Sequence, residues 1–138
     1  MRRFALAVLA LFALINAGRG AIHAFAPDGG AHSIAGLDLS GGSRTTILSL
    51  FAALGFHQLI MAGFQLFVLA FRRDLVVIAL VLQTAETAFG VANLYFYRTF
   101  PVVVPGRAFN TGLLVLLVLT LALVSIGVRR DARGNGQG

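Results

Sequence analysis

The stretch 75–97 is apolar enough and long enough to cross a bilayer, yet it carries Gln83, Glu86 and Asn93 in its interior. About 20 apolar residues in a helix suffice for the ~30 Å hydrocarbon core. Ala79, Gln83, Glu86, Gly90, Asn93 and Tyr97 recur at spacings of 4, 3, 4, 3 and 4, so in a helix they form one stripe. A carboxyl at the bilayer centre costs on the order of 3 kcal/mol, which turns that stripe toward protein and requires a partner for Glu86.

The rest of the chain has the same character. It is 58% apolar and 12% charged, which places it with membrane proteins rather than with soluble domains. There is no Cys, which removes disulfides, thiolate metal sites and thiol catalysis together. All eleven basic residues are Arg. They sit at segment ends rather than in a patch with interleaved aromatics, so nucleic acid is not an expected partner.

Four spans are expected, at about 4–26, 47–71, 75–97 and 111–128. In the first, the Arg2-Arg3 pair precedes an apolar run, as in a signal peptide. Pro27 follows the nearest small-x-small pattern, Ala24-Phe25-Ala26, and a proline there normally blocks cleavage, so the segment is expected to stay as a helix. Its polar residues Asn16, Arg19 and His23 continue an Ala5, Leu9, Phe12 stripe. The loop 27–46 opens with the turn signal Pro27-Asp28-Gly29-Gly30 and is expected to be ordered only in part. Its Gly41-Gly42-Ser43-Arg44 has neither the preceding strand nor the Lys of a phosphate loop.

In the second span Gly55, Gln58, Ala62 and Gln65 share a narrow arc, with His57 at its border and Phe56, Phe64, Phe67 and Phe71 opposite. Arg72-Arg73-Asp74 leaves room only for a tight turn, with Asp74 placed to cap the third span. The Tyr95-Phe96-Tyr97-Arg98 group reads as an interfacial belt, and 100–105 as an extended connection. The fourth span is nearly all Leu and Val, a lipid-facing wall in which Thr120 has no companion polar stripe, with Asn110 as its cap and 129–138 as a disordered tail. Arg2, Arg3, Arg72, Arg73, Arg129, Arg130 and Arg133 fall on one side of this arrangement, against Arg19, Arg44, Arg98 and Arg107 on the other. The fold expected is therefore all-α, a single integral-membrane domain forming an up-down-up-down four-helix bundle with both termini cytoplasmic, in the inner membrane.

At about 1.5 Å of rise per residue Glu86 lies near the midplane, level with Asn16, with His57 slightly outward and Arg19 about 6 Å outward. Glu86 thus has two candidate partners. An ion pair with Arg19 gives a structural or binding role; a wet site shared with His57 gives it an exchangeable proton. His23 is expected at the outer interface. His23 and His57 have no ligand spacing, so no metal and no cofactor is expected.

The order of features, a first helix ending in Phe25-Ala26-Pro27-Asp28, an outer loop containing Gly36-Leu37-Asp38, a helix pair joined by Arg72-Arg73 and a plain fourth helix, resembles the small four-helix bacterial membrane proteins grouped as DoxX-like. The resemblance implies a topology and carries no catalytic residue onto this chain. Small multidrug transporters also have four helices and one membrane Glu, but theirs lies in the first helix, where this chain has Asn16 and Arg19.

Three readings stay open. In the first, a cavity between the first three helices binds a lipid-like molecule or a partner helix through Asn16, Arg19, His23, His57, Gln58, Gln65, Gln83, Glu86, Asn93 and Tyr97. In the second, Glu86 and His57 perform acid/base chemistry on a lipid-like substrate. In the third, a homo-oligomer couples transport to protonation of Glu86.

Overall fold

The computed structural model describes residues 2–97 and 106–134, with the side chains of 97 and 128–134 outside that description. Its described elements are all helical: α1 (Arg2–Phe25), α2 (Arg44–Phe71), α3 (Val76–Ala92) and α4 (Gly106–Gly134). A 3₁₀ turn, Arg73–Leu75, leads into α3, and a π-helical turn, Asn93–Tyr97, ends it. Among the described residues, four helical stretches are long and apolar enough to cross a membrane.

Each helix buries a narrow stripe and exposes the rest. On α1 the buried positions are Ala5, Val8, Leu9, Phe12, Ala13, Asn16, Gly20 and His23, a helical period that includes two polar side chains. On α2 they are Gly55, Gln58, Ala62, Gln65 and Val68, while Phe56, Phe67 and Phe71 point outward. This apolar exterior suits lipid rather than water.

α1 packs chiefly on α2, and α3 on α4. The α1–α2 contact is close because glycines meet there. A Cβ on Gly20 would stand 2.9 Å from the Gly55 carbonyl oxygen, and one on Gly55 would collide with the Ala24 backbone nitrogen. Along the bundle, an apolar layer of Leu9, Phe12, Val68, Val76, Leu80 and Leu117 is followed by a buried polar layer of Asn16, Gln65 and Gln83.

The segment after α1 is more ordered than its composition suggests. Gly29 and Gly30 take φ of +57° and +75°, turning the chain back on α1. Asp28 accepts backbone N–H bonds from Gly30 at 3.0 Å and Ser33 at 2.7 Å, and Leu37 N–H bonds the Ala31 carbonyl at 2.9 Å.

Several expectations need correction. Asp74 does not cap α3; both its oxygens accept from Arg72, Nε at 3.0 Å and NH2 at 2.8 Å, because the 3₁₀ turn separates it from the helix start. α4 begins at Gly106 rather than 111, so Asn110 lies inside it, and the helix continues to Gly134 through the first part of the expected tail. In α4, expected to be a lipid-facing wall, Val115, Val118, Leu119 and Leu123 are exposed, whereas Thr120, like Leu117, is 0% exposed. Its hydroxyl donates to the Leu116 carbonyl at 2.7 Å, so it is satisfied without a polar stripe. The expected connection at 100–105, Arg98, and the tail beyond 134 fall outside the described residues.

Candidate functional site

The polar layer is a directed network. Gln83 Oε1 accepts two bonds, from Asn16 Nδ2 at 2.7 Å and from Gln65 Nε2 at 2.5 Å; Asn16 Nδ2 also reaches Gln65 Oε1 at 3.2 Å. With its oxygen so occupied, the Gln83 amide must turn its NH2 the other way. It donates to Glu86 Oε2 at 3.2 Å and to Thr87 Oγ1 at 3.1 Å. Three helices are thereby tied together, each interhelical bond contributing roughly 0.6–2 kcal/mol.

Glu86 stands at the end of this chain. Its Oε1 lies 3.2 Å from His57 Nε2, across the seam between α2 and α3. The His57 side chain is 56% exposed and that of Glu86 26%, so the pair sits where the bundle opens sideways. Arg19 takes a different partner: its NH1 donates to Asn110 Oδ1 at 2.9 Å. Among the described residues the ion pairs are His57–Glu86 and Arg72–Asp74, so no ion pair joins Arg19 to Glu86.

Beyond the network lies a partly open cavity of about 300 Å³. Its polar wall is made by Asn16, Arg19, Gln58, Gln83, Glu86 and Asn93, and Asn110 comes in from α4. Phe12, Ile15, Leu54 and Leu113 supply apolar surface. Gly90 is also in the wall, and a Cβ there would meet nothing within 4 Å. Comparison with protein families, with curated proteins and with solved structures gives no match.

The expected site residues divide into three groups. Asn16, Arg19, Gln58, Gln83, Glu86 and Asn93 share the cavity. Gln65 and His57 back it, one through Gln83 and the other through Glu86. His23 does not line it: rather than snorkelling outward, it is buried, with Nδ1 2.6 Å from the Gly29 carbonyl oxygen and its ring edge-on to Phe51 at 5.3 Å. It fastens the loop to α1. The side chain of Tyr97 lies outside the described residues.

The sequence pattern assigned Asn110 only a capping role and did not single out Thr87. Arg19 and Asn110 both lie within about two turns of the helix ends that meet, which a depth estimate from the rise per residue could have shown. Among the described residues no three His, Asp or Glu side chains come together to hold a metal ion.

Proposed function

We propose that the chain is a multi-pass inner-membrane protein that binds a small amphiphile in the cavity beside Glu86. Its helices run up-down-up-down with both termini cytoplasmic, as in the DoxX-like group it resembles. One observation carries this reading. In helices otherwise coated with apolar side chains, a space of about 300 Å³ is walled by amides and two charged groups, of which Asn16, Arg19, Gln83, Glu86 and Asn110 are held by hydrogen bonds. Polar surface of this kind is costly in lipid and is characteristic of ligand sites.

The amphiphile enters laterally. The seam between α2 and α3 is bridged mid-helix by His57 and Glu86, both partly exposed, and a ligand drawn from the bilayer passes there with its alkyl chain left in lipid. Purification in a maltoside detergent followed by native mass spectrometry is expected to find one amphiphile bound per chain, released by organic solvent. A bare chain at the gentlest activation would overturn the reading.

A second reading rests on the 3.2 Å contact between His57 Nε2 and Glu86 Oε1. Glu86 touches both the cavity and His57, so a proton can pass between the imidazole and a bound substrate through the carboxylate. Under this reading Glu86→Gln keeps the ligand and loses its conversion.

A further inference from the structure

Arg19 is the one described cation lining the cavity. A guanidinium carries five N–H donors and a permanent charge. Its single described hydrogen bond goes to the neutral Asn110 Oδ1, so the charge has no counter-ion in contact among the described residues. Glu86 shares the cavity but has both oxygens engaged elsewhere, by His57 and Gln83. A second unmet group lies in the same wall. Gln58 is 6% exposed, and its Oε1 has no hydrogen-bond partner, a state that is costly unless a ligand or water completes it.

Building on the amphiphile-binding reading, we infer that the headgroup in this cavity is a phosphate, received by the Arg19 guanidinium and contacted by the Gln58 amide. An oxyanion supplies the charge that Arg19 lacks and accepts its N–H donors in a forked geometry. Held as its monoanion, a phosphate also keeps one P–OH, which donates to Gln58 Oε1; a carboxylate ionised against Arg19 has no proton left to donate. Neutral headgroups leave the guanidinium without an anion in contact. The volume, equal to about ten waters at ~30 Å³ each, admits such a headgroup and a few methylenes beside Phe12, Leu54 and Leu113.

The test titrates purified protein in neutral detergent at pH 7.5 with dodecyl phosphate, dodecanol and inorganic phosphate, read by native mass spectrometry and thermal shift. Dodecyl phosphate is expected to bind at least about tenfold tighter than dodecanol, the worth of hydrogen bonds to a charged group. Arg19→Gln should abolish that difference and Arg19→Lys should keep part of it. If Arg19→Gln fails to fold, the wild-type comparison and Gln58→Leu, expected to weaken dodecyl phosphate severalfold, still decide. Inorganic phosphate binding as tightly as dodecyl phosphate would support the anion site, assign it to a free ion and overturn the amphiphile reading. Dodecanol binding as tightly as dodecyl phosphate would overturn the anion site and leave the amphiphile reading standing. Binding of none of the three would overturn both.

Discussion

Glu86 Oε1 and His57 Nε2 are 3.2 Å apart, joining α3 to α2 in mid-helix, while Arg19 on α1 is bound to Asn110 instead. A double-mutant cycle should therefore find coupling between positions 86 and 57 rather than between 86 and 19. Glu86→Gln with His57→Leu is expected to couple by about 1 kcal/mol or more in thermal unfolding, and Glu86→Gln with Arg19→Leu by under about 0.5 kcal/mol. The reverse ranking would mean that Arg19 is the counter-ion.

Helix packing offers a sharper contrast. A Cβ at Gly20 would press on the Gly55 carbonyl and Leu59, both at 2.9 Å, whereas one at Gly18 meets nothing within 4 Å. Gly20→Ala should cost roughly 1–3 kcal/mol through overpacking. Gly18→Ala should be neutral or stabilise by up to about 1 kcal/mol. Similar melting temperatures for the two variants in one detergent would contradict the close α1–α2 contact.

Thr120 reverses what its surroundings in the sequence suggest. Because it is fully buried, Thr120→Leu should destabilise by about 1–3 kcal/mol through added volume. Thr120→Val keeps the shape and removes a hydroxyl that bonds only its own helix, so it should be close to neutral. Equal unfolding midpoints for the Leu variant and wild type would return α4 to a plain wall.

What was legible in the sequence was whatever repeats at helical spacing. The Gly55, Gln58, Ala62, Gln65 arc and the Asn16 stripe are buried as their period requires. Thr120 escaped because a hydroxyl bonded to the carbonyl four residues earlier needs no companion. His23 escaped because its partner is a backbone carbonyl in a turn, a contact without periodicity. The choice between Arg19 and His57 for Glu86 depended on rotation about the helix axes, whereas rise per residue gives only depth.

The loop has its own pH signature. Two backbone N–H groups, of Ser33 and Gly30, hold the Asp28 carboxyl well below the usual carboxylate range. Since the folded value is the lower one, the ionised form favours the folded loop. Its contribution is complete above the unfolded value of about 3.9 and is lost as pH falls from there toward the folded value. Hydrogen-exchange protection of the Gly30 and Ser33 amides should be constant from about pH 7 to 5 and decline only below about 4. Asp28→Asn should lower it throughout, and protection already lost near pH 5 would contradict this role.

The cavity itself is tested most directly by filling it. Gly90 lies in its wall and Gly63 on α2 outside it, and a Cβ at either meets nothing within 4 Å, so Gly90→Leu and Gly63→Leu should both fold at least as well as wild type. Native mass spectra of all three proteins, purified identically, should show a bound amphiphile on wild type and Gly63→Leu and none on Gly90→Leu. A Gly90→Leu protein that keeps its amphiphile would contradict the assignment of this cavity as the binding site.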